Sequence, residues 1–240
     1  NVTTAANGTI AIGHNALTAL TSGARNIGIG YLAMQHADTA TDCIAIGYQA
    51  MYDQNVGGSG HAADSDHNIA IGSNSMSGAW ADAKTEYNVA IGSNTMNAIM
   101  SGAEYNTSIG FESLGGLTSG DYNTAVGANA LNAITGGTGN VGVGQSALSL
   151  TQGGNSNVAI GSYDGTTVAA MRNNVSASQC VGIGTGALGG VTTQNGTVAV
   201  GYKALTALTS GLQNLAIGST VLQHCLDGGY NIGIGHGAMA

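Results

Sequence analysis

The chain is predicted to be all-β, a parallel β-solenoid (β-roll) of about 13 coils with a 17-residue period. Three observations predict it. A short apolar strand ending in glycine recurs at Gly13, Gly30, Gly47, Gly72, Gly92, Gly110, Gly127, Gly144, Gly161, Gly184, Gly201, Gly218 and Gly235. Nine of the twelve intervals lie within one residue of 17, the others being 25, 20 and 23. The composition holds 41 glycines, no proline and 7% charged residues. A fixed period of this length is the signature of one supersecondary unit stacked many times. Glycine supplies the positive φ of repeated tight turns, and proline would interrupt a continuous ladder. Glycine at this density excludes a helical array, and the regular apolar columns exclude disorder.

Aligned on the glycine, the sequence becomes columns. The residue before it is Ile or Val in every copy, and the residue two before is Ala, Gly or Ser. Three before, it is Ile, Val or Leu except at Thr107 and Thr124. Four after, it is Leu or Met except at Gly165. Alternate side chains of a strand point to opposite faces. The Ile/Val pair is therefore expected to face the coil interior, closed over by the Leu/Met column. The Ala/Gly/Ser column is expected to face outward onto another subunit. Seventeen residues are too few for a βαβ unit of about 30 residues, but suffice for two short strands and two turns. Thirteen coils at about 4.8 Å give a rod about 60 Å long. A coil this thin encloses little volume, so a shared core in a parallel homotrimer is expected.

Four residues before the glycine stands Asn in nine copies: Asn26, Asn68, Asn88, Asn106, Asn123, Asn140, Asn157, Asn214 and Asn231. Amides stacked at strand spacing bond to one another and to turn backbone, so this column is read as a structural ladder. Thr9, Cys43, Cys180 and Thr197 replace Asn in the remaining copies. The three cysteines share no spacing that suits disulfides or zinc and are read as structural thiols. Tyr87, Tyr105 and Tyr122 precede Asn in three consecutive coils. They are expected to stack along one edge, a role in shielding the sheet edge being favoured over a glycan platform.

The residues Asn68–Ile69–Ala70–Ile71–Gly72 and Asn88–Val89–Ala90–Ile91–Gly92 resemble the head repeats of trimeric autotransporter adhesins. The longer unit from Val200 to Gly211 is similar to arrays of bacteriophage tail fibres, and the adhesin repeat is usually shorter, which favours the fibre variant. The resemblance covers essentially the whole chain. It implies a homotrimeric structural and adhesive fibre segment on a virion or cell surface. Its partners would be its own copies, a host-surface receptor or glycan, and other fibre subunits at the ends. Arrays of this kind often precede a chaperone domain, so the chain reads as a segment of something longer. The alternatives are a repetitive-surface binder, such as an ice-binding solenoid, or a purely structural shaft. The sporadic Thr-Ser pairs, as at Thr21–Ser22 and Thr118–Ser119, do not make the flat array that ice binding needs.

A net charge of −8 with four strong bases, Arg25, Lys84, Arg172 and Lys203, argues against nucleic acid and anionic membrane surfaces as partners. No apolar run approaches the 18 residues of a membrane span. Matches such as Gly28–Ile29–Gly30 to a dinucleotide fingerprint lack the required helix and acidic residue. No nucleophile–base pair stands out, so no enzyme activity, cofactor or metal is assigned. One elongated domain over residues 1–240 is expected, with insertions at about 52–67, 77–87 and 162–179. Insertions in solenoids map to surface loops and often to the binding face. The candidate receptor contacts are accordingly Tyr52, His61, Asp64, Asp66, His67, Trp80, Tyr163 and Arg172. His61, Asp64, Asp66 and His67 carry cation-ligand chemistry, but a polar loop is the plainer reading. Trp80 either stacks on a sugar ring or anchors its loop.

Overall fold

The computed structural model describes residues 7–52, 65–80, 83–190, 193 and 195–239. They form two compact units, Asn1–Tyr122 and Asn123–Ala240. Each is a parallel β-solenoid in which every repeat contributes one three-residue strand. In the first unit these are β1 (Ile10–Ile12), β2 (Ile27–Ile29), β3 (Ile44–Ile46), β4 (Ile69–Ile71), β5 (Val89–Ile91) and β6 (Thr107–Ile109). In the second they are β7 (Thr124–Val126), β8 (Val141–Val143), β9 (Val158–Ile160), β10 (Val181–Ile183), β11 (Val198–Val200), β12 (Leu215–Ile217) and β13 (Ile232–Ile234). Within each unit neighbouring strands pair in chain order, column on column. The longest insertion leaves this register intact, since Ile44, Ala45 and Ile46 still pair with Ile69, Ala70 and Ile71. The 23-residue interval behaves likewise, with Val158, Ala159 and Ile160 against Val181, Gly182 and Ile183.

The faces of the strand are the reverse of the expectation. Ala45, Ala70, Ala90, Ala125, Ala159, Ala199 and Ala216 are fully buried. The residues on either side of the small one, mostly Ile and Val, point outward and are half-buried or exposed, as at Ile91 (37%) beside Ala90 and Ile109 (39%) beside Ser108. The reason is the width of the coil. The Leu/Met column crosses the interior and fills it, leaving room opposite for only a small residue. A Cβ built on Gly28 would lie 2.9 Å from Cγ of Leu17, and one on Gly182 would lie 2.5 Å from Cγ of Met171. Packing at this density rejects even one added methylene. The large strand residues must then face outward, where within each unit they lie in register with their equivalents in adjoining coils.

The second wall is not a strand but a run of turns. The residue two after the glycine and the Leu/Met four after it both adopt left-handed backbone, as do Asn94 (φ 56°) and Met96 (φ 47°). The residue before the ladder Asn does the same, for example Tyr105 (φ 56°). Such conformations cost non-glycine residues about 1 kcal/mol or more each. They persist because each sets an N–H toward a carbonyl of a neighbouring coil. Asn94 N donates to Ser73 O at 3.0 Å, Met96 N to Ser113 O at 3.2 Å and Tyr105 N to Glu86 O at 3.2 Å. The repeated glycine meets a stricter demand. Gly92 has φ 131°, and a Cβ there would lie 2.6 Å from the carbonyl oxygen of Gly110.

The amide ladder forms as anticipated. Asn88 Oδ1 accepts from the backbone N–H of Asn106 at 3.0 Å and from Asn106 Nδ2 at 3.0 Å. Asn88 Nδ2 in turn donates to Ala103 O at 2.8 Å. Asn123, Asn140 and Asn157 repeat the pattern in the second unit, as do Asn214 and Asn231. Cys43 and Cys180 continue it through their backbone N–H groups, which donate to Asn26 and Asn157 side chains. Burial pushes the Cys43 thiol up to about 12, so it stays neutral, and its Sγ donates to Ser65 O at 3.4 Å. A second polar cluster lines the interior where Ser75 Oγ meets Thr95 Oγ1 at 2.8 Å and Ser108 Oγ meets Ser113 Oγ at 2.6 Å.

Two substitutions test this packing. Asn88→Ala strips partners from the buried Asn106 amide and backbone and from Ala103 O. At about 1–3 kcal/mol for an unsatisfied buried group, a loss of several kcal/mol is expected in denaturant unfolding. Gly92→Ala adds a backbone clash and is expected to lower the unfolding midpoint more than Ser93→Ala, which changes a half-buried neighbour on the same turn.

Candidate functional site

Two features stand out on the described surface, an edge ladder in the first unit and a cleft beside an insertion in the second. The ladder occupies the position before the Asn column. Arg25 Nε and Nη2 contact the two oxygens of Asp42 at 2.6 Å each, a bidentate pair. The Arg25 hydrogen bond holds the Asp42 carboxyl below its ordinary value. His67 follows, its Nε2 3.6 Å from Asp42 Oδ2 and its ring stacked on Tyr87 at 4.8 Å. Tyr87, Tyr105 and Tyr122 then stack at 4.9 and 5.2 Å with interplanar angles of 3° and 4°. The three-tyrosine ladder anticipated from sequence is present. It extends further than anticipated, because an ion pair and a histidine continue the same column. Burial, followed by the nearby Tyr87 and Glu104, raises the Tyr105 phenol above its ordinary value. Tyr87 and Tyr105 each have an aromatic ring on both faces, so along them the ladder presents edges and hydroxyls rather than a ring face.

Several of the other candidate contacts engage neighbouring residues of the chain. Asp66 accepts the Thr41 N–H at 2.7 Å and so braces the turn it flanks. Tyr52 lies tilted against His36 at 5.0 Å. His61 and Asp64 lie outside the described residues. Trp80 is 1% exposed; it fills the interior corner that Met100 fills in the next coil and presents no ring to a ligand. Its Nε1 has no hydrogen-bond partner, a cost accepted for the volume of the indole. A second aromatic stack, His14–Tyr31–Tyr48 at 5.2 and 5.5 Å, went unread in the sequence. Its signal was present, since all three residues directly follow the repeated glycine. Among the described residues no group of three or more His, Cys, Asp or Glu is placed to hold a metal ion. No helix there is long and apolar enough to cross a membrane.

The cleft is built by the insertion after β9. Asp164 closes the loop: its Oδ1 accepts from Thr166 N at 2.9 Å, Thr166 Oγ1 at 3.0 Å and Thr167 N at 2.6 Å. Thr167 Oγ1 reaches Tyr202 OH at 3.3 Å, and Lys203 Nζ lies 5.1 Å from the Tyr202 ring centroid. Glycine makes room beneath the loop, since a Cβ on Gly186 would lie 2.8 Å from Thr167 Cγ2 and one on Gly189 2.5 Å from Val168 Cγ2. The loop returns to the solenoid where Ala170 N donates to Gly161 O at 3.2 Å. Tyr163 and Arg172, at its two ends, thereby line one cleft of about 290 Å³ together with Gln145 and Ser146. Tyr163 and Arg172 were expected from sequence. Gln145 and Ser146 were not, because they belong to a regular coil and only the fold sets them beside the insertion.

Comparison with known proteins finds no family model, no curated protein and no solved structure that matches this chain.

The Asp164 turn carries a pH signature. Backbone N–H groups of Thr167 and Thr166 hold its carboxyl down to about 2. A carboxyl depressed on folding contributes stability that is complete above its unfolded value and is lost as pH falls through the folded one. The loop is therefore expected to remain intact at pH 4 and to loosen toward pH 2. Carboxyl NMR should follow Asp164 titrating near 2, and Asp164→Ala should remove that low-pH loop transition.

Proposed function

We propose that this chain is a structural and adhesive fibre segment that assembles as a parallel homotrimer and presents its loops to a host-surface receptor. The observation that carries the reading is the outward double column of Ile, Val and Leu, interrupted only by Thr107 and Thr124. An apolar face that runs through successive coils is unusual on a soluble single chain. It bears no charge and repeats with the period of the coil, so a second copy of the chain, in the same direction and register, matches it throughout. Three copies placed around an axis bury all three faces and close the assembly. The resemblance of the Asn-x-Ala-Ile-Gly units to fibre and adhesin repeats supports three as the number. The shared core thus lies on the Ile/Val side of the strand, not on the small-residue side. The presentation role falls to the insertions, because regular coils offer the same surface repeatedly and little that is unique.

The parent chain is expected to sediment at three times its 23.5 kDa mass. Ile91→Asp combined with Ile109→Asp should yield a monomer with unchanged far-ultraviolet circular dichroism, because both side chains already face solvent in the single chain. Ala90→Asp should instead unfold the coil, since it buries an unpaired carboxylate at a cost of several kcal/mol. A parent chain that is a stable monomer at micromolar concentration contradicts the trimer.

A further inference from the structure

We propose that the cleft formed by Gln145, Ser146, Tyr163 and Arg172 is a subsite for a carboxylated saccharide, with the acid group on Arg172 and the sugar ring against Tyr163. The proposal rests on the receptor-presenting role and names the ligand class for one part of it.

Four features of the cleft point to this chemistry. Its volume of about 290 Å³ stands at the lower end of small-ligand sites, about 300–1,000 Å³, a size for a single sugar residue. Arg172 is one of only four strong bases in the chain. Two of the others are committed, Arg25 to Asp42 and Lys84 to Glu86, and Lys203 lies over the Tyr202 ring. The Arg172 guanidinium makes no ion pair or side-chain hydrogen bond among the described residues, although it is half-buried at the cleft wall. The carboxylate nearest in sequence, Asp164, is already engaged by the Thr166 and Thr167 donors. A guanidinium fork left open in a concavity matches a carboxylate through two parallel hydrogen bonds.

The remaining lining suits the rest of a sugar. Tyr163 is 42% exposed, and its hydroxyl is tied to Gly165 O at 2.8 Å, which fixes the ring. Unlike Tyr87, Tyr105 and Tyr122, it stacks on no other aromatic residue among the described ones, so a ring face remains free for the apolar face of a pyranose. Gln145 and Ser146 bring an amide and a hydroxyl to the same cleft, donors and acceptors for sugar hydroxyls. The net charge of −8 does not forbid an anionic ligand here, because exposed charges farther than about 8 Å are largely screened at physiological salt.

The test is saturation-transfer NMR of the full chain with two oligosaccharides that differ only in a terminal glucuronic acid or a terminal glucose. The acidic sugar should bind and the neutral one should bind at least about tenfold more weakly, the size of a charged hydrogen-bonded contact. Arg172→Gln should erase that preference, Arg172→Lys should keep only part of it, and Tyr163→Ala should weaken both sugars. Circular dichroism of each variant controls for folding, and the lysine variant keeps the charge in place if the glutamine variant misfolds. Equal binding of the two sugars, binding of neither, or a preference that survives Arg172→Gln overturns the proposal. Binding of the parent chain to host cells, measured in parallel, separates the two levels. Cell binding without an acidic preference removes the ligand class and leaves the adhesive role standing, whereas loss of both removes both.

Discussion

The narrowness of the coil interior is the constraint on which the rest of the structure depends. One wall sends in a Leu or Met, as at Leu17 or Met34, and the strand opposite answers with Ala or Gly, as at Gly28 or Ala45. No second large residue fits between them. The β-branched residues on either side of the small one are thereby turned outward, where single coils leave them half-covered. A chain that satisfies its interior in this way creates an apolar surface it cannot itself cover. The same economy explains the glycine column, where successive coils approach until a Cβ at Gly92 would touch the Gly110 carbonyl.

A thin interior also has to deal with backbone polar groups, and it does so without charge. The Asn amides link coil to coil and take up turn carbonyls such as Ala103 O. Where Asn is absent, a neutral Cys43 fills the space and its backbone N–H keeps the connection to Asn26. Every satisfied member of such a network strengthens the case for one register over another, since a slipped coil would leave buried amides unpaired. That is how β3 and β4 remain in register although the interval between them is eight residues longer than the period. It is also why sites can be added at insertions without disturbing the scaffold.

Much of this was legible in the sequence, and the part that was not has physical reasons. The period, the strand positions, the Asn ladder and the Tyr87–Tyr105–Tyr122 stack follow from columns alone, because in-register stacking makes a column in sequence a column in space. Strand alternation says that Ala90 and Ile91 lie on opposite faces but does not say which face is inside. The usual preference for large apolar residues inside gave the wrong answer here, because the far wall had already filled the space with Met76 and Met96. The left-handed backbone of Leu and Met residues was hidden as well, since their side chains give no local reason to adopt it. At the sites, Tyr163 and Arg172 were visible as departures from the period. Gln145 and Ser146 were not, because nothing in a regular coil marks the one that an insertion will overhang. Trp80 was visible but ambiguous, and its volume decided for the interior.

The central claim is that the small strand residue faces the coil interior and its Ile/Val neighbours face out. Methyl NMR on a chain labelled at Ala, Ile and Met tests it directly. Ala45 and Met34 stand in the same columns as Gly28 and Leu17, whose close approach defines the interior. A strong nuclear Overhauser effect between the Ala45 and Met34 methyl groups is predicted, with Ile44 and Ile46 methyls coupled to the Ile residues of adjacent coils instead. Strong effects from Ile44 and Ile46 to Met34, with Ala45 silent, would contradict the account.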